Sequence, residues 1–102
     1  MGAFKGFLMN SKDYYLLIES FLNGKLTPVQ FEKKFYDIYK KDELMDENLT
    51  QILHPFFEDL DCYDSSVTPE TADVMNITEA TLRVKAAETL EKLKSYLNKN
   101  RH

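Results

Sequence analysis

Several residue types that mark other protein classes are scarce in this chain of 102 residues. It has one cysteine, no tryptophan, three glycines and three prolines. The single cysteine, Cys62, excludes an intramolecular disulfide, so we expect a cytoplasmic protein. We interpret Cys62 as a small buried hydrophobic residue. No apolar run approaches the roughly 20 residues of a membrane span, so we expect no membrane association.

Signals of β-structure are also weak. Valine is rare, and polar and apolar residues do not alternate. Apolar residues instead recur three and four positions apart, which is typical of amphipathic helices. With 43% hydrophobic and 29% charged residues, the chain can form one core but is too short for two domains.

These patterns predict an all-α fold, an antiparallel four-helix bundle in one domain over residues 11–98. We expect a loosely ordered N-terminal tail, 1–10, and a C-terminal tail, 99–102. Gly24 marks the end of the first helix, and Thr27 with Gln30 forms a capping box at the start of the second. The four helices are predicted to run from about Lys12 to Asn23, Thr27 to Lys41, Glu47 to Tyr63 and Glu79 to Asn98. A long acidic loop, 64–76, joins the last two, and its length favours a role in binding.

Charge is distributed unevenly along the chain, although the net charge is only −4. Residues 1–41 contain four acids and seven bases, and residues 83–102 contain two acids and six bases. Residues 42–82 contain eleven acids and neither lysine nor arginine. Solubility does not require such segregation, and like charges repel one another in a compact protein. One-signed fields of this kind steer and hold oppositely charged partners.

Two interpretations of the acidic segment remain open. The carboxylates either form ordinary solvated faces, partly paired with Lys33, Lys34 or Lys85, or gather into one exposed concentration of negative potential. Acids near a helix C-terminus are locally unfavourable, which favours a function for them. A tyrosine among carboxylates is a typical interface anchor. The predicted partner-binding residues are Glu58, Asp59, Asp61, Tyr63, Asp64, Glu70 and Asp73.

Signatures of catalysis and of cofactor binding are missing from the sequence. There is no glycine-rich phosphate loop, nucleophile elbow or Cys-His arrangement, so we expect a protein that is not an enzyme and needs no cofactor. The acids from Asp59 to Glu70 are spaced as in an EF-hand calcium loop, but Asp64 occupies the sixth position, where that loop requires glycine. We therefore expect no bound metal. The negative net charge disfavours nucleic acid as a partner, and nothing indicates a small-molecule substrate.

A spaced pattern over about Leu16 to Leu97 resembles the colicin D-type immunity family of bacterial self-protective proteins. It begins with Phe21, Gly24 and Lys25 and closes with Ile77-Thr78 and Leu82. Its middle contains Phe31-Glu32, Phe35-Tyr36 and Phe57-Glu58-Asp59-Leu60-Asp61-Cys62-Tyr63.

This resemblance implies a four-helix bundle that occludes the active site of a tRNA-cleaving toxin with acids that mimic the RNA. Carried over to matching positions, the mimicking residues are Glu58, Asp59, Asp61 and Asp64, with Tyr63 at their edge. Glu70 and Asp73 are added on physical grounds alone. The predicted partner is therefore a cognate basic nuclease toxin. The alternative is a non-catalytic helical adaptor that binds a basic or amphipathic protein.

Overall fold

The computed structural model describes residues 2–41, 46–73 and 75–99, with side chains from Lys12 onward. Within these ranges the chain forms four helices and no strand. They are α1 (Gly2–Leu22), α2 (Pro28–Lys41), α3 (Glu47–Asp61) and α4 (Glu79–Lys99). The predicted all-α, four-helix fold is confirmed, and three of the four helices begin and end within about two residues of the predicted positions.

The first helix begins much earlier than predicted. α1 starts at Gly2, ten residues before Lys12. No proline interrupts this segment, and glycine lowers helix propensity without terminating a helix. That residues 1–10 are loosely held stays a prediction. Of the predicted C-terminal tail only Lys99 is described, at the end of α4, and residues 100–102 lie outside the described ranges.

Gly24 ends α1 in a Schellman motif. Its φ is +79°, the left-handed region that L-residues with a Cβ rarely adopt. The Gly24 amide donates to the Phe21 carbonyl at 3.1 Å, and the Lys25 amide donates to the Ser20 carbonyl at 2.9 Å. The glycine thus turns the chain from α1 into α2.

We expect Gly24→Ala to lower the melting temperature by about 4–8 °C, which corresponds to a loss of about 1 kcal/mol. A Cβ at this position meets no atom within 4 Å, so the loss comes from the backbone conformation alone. Gly24→Asn should lose less, because asparagine visits this region more readily. Thermal unfolding followed by circular dichroism checks the order, and an Ala variant that melts with the wild type contradicts it.

Side-chain caps begin α2 and α4, and the sequence analysis predicts the first of them. The Gln30 side chain accepts a hydrogen bond from the Thr27 amide at 3.0 Å, and the Thr27 hydroxyl accepts one from the Gln30 amide at 3.2 Å. This reciprocal pair is the predicted capping box. At the start of α4, the Thr78 hydroxyl accepts from the Thr81 amide at 3.2 Å.

The core lies between the four helices and is rich in aromatic rings on the α1, α2 and α3 side. Phe35 is fully buried, with its ring centroid 5.6 Å from that of Tyr14 and 5.5 Å from that of Phe56. Phe21 and Phe31 stack at 4.5 Å. The order of these ring contacts shows that α1 and α2 pack antiparallel and that α3 packs against the same group of rings. The buried hydrophobic residues are Tyr14, Ile18, Phe21, Phe31, Phe35, Leu49, Leu53, Phe56, Leu60, Leu82, Ala86, Leu90 and Leu93.

Arg83 joins α4 to the end of α1, a contact that the sequence analysis did not predict. Its guanidinium lies over the Phe21 ring, 4.5 Å from the centroid, and donates to the Phe21 carbonyl at 2.9 Å. The same guanidinium forms an ion pair with Glu79 at 2.9 Å. One arginine therefore satisfies a carbonyl at the α1 terminus and neutralises the first acid of α4.

The segment between α3 and α4 is closed at its base by backbone pairing. The Ile77 amide donates to the Cys62 carbonyl at 2.9 Å, and the Asp64 amide donates to the Ile77 carbonyl at 3.3 Å. Tyr63 and Ile77 thereby form a short parallel bridge. The long predicted loop therefore has its two ends held together by hydrogen bonds. Surface loops with closely spaced ends are frequently functional.

Candidate functional site

The predicted partner-binding residues lie on the last turns of α3 and in the loop that follows. Glu58, Asp61 and Asp64 are exposed, and Asp59 and Tyr63 are half-buried. Within the described ranges, the two ion pairs are Arg83 with Glu79 and Lys94 with Glu91. None of the predicted carboxylates is therefore paired with a cation among the residues that the structure describes.

Glu58, Asp59 and Asp61 at the end of α3 and Asp64 just after it do not all face the same direction. Their role in partner binding stays a prediction. Successive helical residues are about 100° apart, so Asp59 and Asp61 lie on nearly opposite sides of α3. Asp59 faces α4. Burial raises its pKa, the charges of Lys85 and Lys92 lower it, and those of Glu58 and Glu88 raise it.

Asp61 faces α2 and lies beside two residues that the sequence analysis did not assign to the site, Glu32 and Tyr36. The Tyr36 hydroxyl donates to Asp61 Oδ1 at 3.3 Å. Burial and then the charge of Asp61 raise the pKa of Glu32. Burial raises the pKa of Tyr36 to about 12, with further contributions from Glu32, from Asp61 and from the hydrogen bond. Glu32 and Asp61 thus repel each other across the helix interface.

Tyr63 extends this group of acids to the base of the loop. Burial raises the pKa of its hydroxyl, and the charges of Glu79, Asp64 and Glu32 raise it further. Because Arg83 already neutralises Glu79, the unpaired acids around Tyr63 are Glu32 and Asp64. We call the group of Glu32, Tyr36, Asp61, Tyr63 and Asp64 the acidic surface.

The remaining predicted residues lie outside the acidic surface. Glu58 is one turn away, where its charge raises the pKa of Tyr39 after the larger effect of burial. Glu70 and Asp73 lie in the loop and are exposed. Asp73 accepts from the Met75 amide at 2.8 Å, which fixes the loop before α4. No contact joins Glu70 or Asp73 to the acidic surface in the described part of the chain, and their role in binding stays a prediction.

Asp64 both belongs to the acidic surface and shapes the loop. Its Oδ1 accepts from the Ser66 amide at 2.9 Å and from the Ser66 hydroxyl at 2.7 Å. These hydrogen bonds lower the pKa of Asp64. The carboxylate is thus kept ionised and in a fixed position beside Tyr63.

Glu32 and Tyr36 belong to the pattern that carries the family resemblance, but the sequence analysis did not assign them to the site. Both follow a core phenylalanine, in Phe31-Glu32 and Phe35-Tyr36, and they are four residues apart on one face of α2. A polar pair flanking the core stripe lies at the edge of a helix interface. Nothing local to α2 indicates that the end of α3 supplies the facing acids, so only the tertiary structure reveals the group.

We expect Glu32→Gln to raise the melting temperature at pH 7 by about 1–4 °C, because it removes the repulsion between two acids near the surface. Burial, and after it the charge of Asp61, raises the folded-state pKa of Glu32 above its ordinary value of 4.5. The destabilisation is therefore fully present above the folded-state pKa and disappears as the pH falls below 4.5. The two proteins should converge in stability at lower pH.

Thermal unfolding at pH 7 and at pH values below 4.5 measures this difference. Glu70→Gln is the matched control, since it makes the same chemical change on an exposed loop carboxylate. A Glu32→Gln variant that melts below the wild type at pH 7 contradicts like-charge strain at this position.

The described part of the chain shows neither of two other kinds of site. No group of three or more His, Cys, Asp or Glu side chains there is arranged to hold a metal ion. None of the helices over the same residues combines the length and the apolarity that crossing a bilayer requires.

Comparison with known proteins identifies the family. A search of curated proteins and a search of solved structures each find no match. A family model described as bacterial self-protective colicin-like immunity matches residues 9–93. The matched region contains α2, α3, most of α4 and the whole acidic surface. Since the match covers most of the chain, this protein belongs to the colicin-like immunity family and is a self-protective, toxin-neutralising protein.

Proposed function

We propose that this immunity protein inhibits a nuclease toxin of the tRNase type by placing the acidic surface in its basic active site. The observation that carries the proposal is the set of unpaired carboxylates. Within the described residues, Glu32, Asp61 and Asp64 have no ion-pair partner, and Glu32 and Asp61 repel each other. A surface that is unfavourable in the free protein becomes favourable when a partner supplies the cations.

The chemistry of an RNA-cleaving enzyme supports this choice of partner. Such an enzyme presents cationic groups to phosphates, and carboxylates in fixed positions form charge-assisted hydrogen bonds with the same groups. Asp64 is held by Ser66, and Asp61 is held by the Tyr36 hydroxyl. A complementary field also raises the association rate, up to about 10⁸–10⁹ M⁻¹s⁻¹ at low salt.

The tyrosines add contact area and polarity to the acidic surface. Tyr36 and Tyr63 are half-buried, so each presents part of its ring while the rest packs on the bundle. The pKa of Tyr36 is raised to about 12, so its hydroxyl stays protonated and adds no negative charge of its own. Rigid amphipathic rings surrounded by charged groups are typical of residues that dominate binding energy.

The protein acts, in this proposal, as a stoichiometric binder in the cytoplasm and not as an enzyme. An immunity gene is expected to follow the gene of its toxin directly, and that neighbouring gene product provides the test. Purified toxin should cleave tRNA, and one equivalent of the immunity protein should stop the cleavage. Association should slow as salt is raised, because screening weakens steering. A toxin with no action on RNA, or inhibition that does not depend on the acidic surface, overturns the proposal.

One observation favours a second candidate, the helical adaptor. A groove of about 490 Å³ lies between α1 and α2, with an apolar floor that includes Leu17, Leu26 and Ile38. Leu16 at its edge is 46% exposed. An amphipathic helix of a partner fits such a groove. In an adaptor, Leu16→Asp abolishes partner binding and neutralising the acidic surface does not, which is the reverse of the expectation for the toxin inhibitor.

A further inference from the structure

A second groove lies between α3 and α4, at the other end of α3 from the acidic surface. Its volume is about 490 Å³, within the range of about 300–1,000 Å³ typical of ligand sites. From position 48 to position 61 the rise along α3 is about 20 Å, so the groove and the acidic surface are separate. The groove is lined by Asn48, Gln51 and Ile52 of α3 and by Lys92, Tyr96 and Lys99 of α4.

The groove carries positive charge in a protein whose net charge is negative. Lys92 and Lys99 are both exposed, and neither forms an ion pair with a described residue. The charge of Lys92 contributes to lowering the pKa of Asp59, but the two side chains do not form an ion pair. No carboxylate is among the residues that line the groove.

Asp46, the carboxylate that caps the start of α3, is already engaged. Its Oδ1 accepts from the Leu49 amide at 2.7 Å as the N-cap of α3, and its Oδ2 accepts from the Tyr96 hydroxyl at 2.6 Å. The second of these hydrogen bonds holds the Tyr96 ring at the edge of the groove. The two lysines are therefore available to an anionic partner from outside the described structure.

The spacing of the lysines limits that partner. Lys92 and Lys99 are seven residues apart on one face of α4, about 10.5 Å along the helix axis. Two carboxylates at alternate positions of an extended peptide are about 6.8 Å apart. The flexible lysine stems close the remaining gap from both sides. One small anion cannot contact both ammonium groups unless both side chains bend far inward.

The uncharged polar side chains that line the groove favour a peptide over a nucleic acid as the partner. The carboxamides of Asn48 and Gln51 both donate and accept hydrogen bonds, and neither side chain has a hydrogen-bond partner among the described residues. A peptide backbone offers N–H and C=O groups that match both functions. The phosphodiester backbone of a nucleic acid offers acceptors alone, and its donors lie on the bases and, in RNA, on the ribose hydroxyl. A peptide backbone presents a donor and an acceptor at nearly every residue and is therefore the better match.

From these contacts we infer that the groove between α3 and α4 binds an extended acidic peptide segment of a protein partner. Carboxylates at alternate positions contact Lys92 and Lys99, and the peptide backbone lies against Asn48 and Gln51. Ile52 and the Tyr96 ring contact the apolar part of the segment. This interface is separate from the acidic surface and does not depend on the toxin being a nuclease.

Titration of the full-length ¹⁵N-labelled protein in low salt tests the inference. The probe is an eight-residue peptide of alternating glutamate and serine, and the control peptide carries glutamine in place of glutamate. We expect saturable amide shifts centred on Asn48, Gln51, Lys92 and Lys99 with the acidic peptide alone. Hexauridylate, a short RNA, should bind more weakly than the peptide.

Two variants with the same change in net charge complete the experiment. Lys92→Gln with Lys99→Gln should weaken peptide binding by about tenfold or more. Lys12→Gln with Lys33→Gln, which neutralises exposed lysines of α1 and α2, should change it less than about threefold. Equal losses in both variants, shifts centred elsewhere, or tighter binding of hexauridylate or of the glutamine peptide each overturn the inference. No toxin is present, so failure here leaves the proposed function untouched.

Discussion

Neutralising two acids at once, as Glu32→Gln with Asp61→Asn, is expected to weaken toxin binding by about 2–5 kcal/mol. The loss corresponds to a factor of roughly 30 to several thousand in Kd. It is large because each carboxylate is proposed to meet a cation of the toxin, and removing the carboxylate leaves that cation desolvated and unpaired. The free protein should become slightly more stable, since the repulsion between Glu32 and Asp61 disappears.

The matched control is Asp59→Asn with Glu88→Gln. It changes the net charge by the same amount, but it acts on the α4 side of α3, where the charge of Glu88 contributes to raising the pKa of Asp59. We expect this variant to lose less than about tenfold in affinity. Measuring association and dissociation rates at two salt concentrations separates loss of steering from loss of contacts. If the two double variants bind equally, net charge alone governs the interaction and the acidic surface has no special role.

The pair of acids that the structure selects for this experiment differs from the pair that the sequence suggests. From the sequence, Asp59 and Asp61 belong to one run of acids and should act together. In the structure Asp61 contacts Tyr36 of α2, whereas Asp59 faces the lysines of α4. The helical period predicts that the two point apart, but it does not say which of them faces which neighbour.

Features that depend on residues close together in the sequence could be predicted from the sequence. The capping box of Thr27 and Gln30 and the stop at Gly24 are confirmed because each depends on residues within a single turn of chain. The amphipathic pattern is confirmed for a similar reason, since the buried residues of each helix recur three and four positions apart. The early start of α1 was missed because weak helix formers reduce helix propensity without terminating a helix.

Contacts between distant segments are the part that the sequence analysis could not predict. Glu32 joins the acidic surface across 29 positions of sequence, and Arg83 reaches the Phe21 carbonyl across 62. The sequence neighbours of Glu32 and of Arg83 do not indicate which distant segment each residue contacts. Both are positioned by the order in which the helices pack, which depends on the whole core.

The core itself provides the second large effect: Phe35→Ala is expected to destabilise the protein by about 3–5 kcal/mol. Phe35 is fully buried, and its ring lies within 6.0 Å of the rings of Tyr14, Phe31, Tyr39 and Phe56. Truncation leaves a cavity where α1, α2 and α3 meet, and rigid rings close such a cavity poorly. A loss of this size is a large fraction of the 5–15 kcal/mol typical of a domain.

Urea unfolding and thermal unfolding measure this loss, and Phe57→Ala is the matched control. Phe57 is half-buried at the rim of the same aromatic group, where it stacks on Tyr39 at 4.9 Å. It should lose clearly less stability than Phe35, because less apolar surface returns to water. Equal losses at the two positions contradict the packing described for the core.

The two large effects should also separate folding from binding. Phe35→Ala leaves the acidic surface chemically intact, so saturating toxin should restore much of the folded population by mass action. Glu32→Gln with Asp61→Asn should show the opposite behaviour, a stable fold with little affinity for the toxin. Thermal unfolding of each variant with and without toxin therefore yields a large upward shift for Phe35→Ala and a small one for the acid variant. The same shift in both variants means that toxin recognition does not pass through the acidic surface.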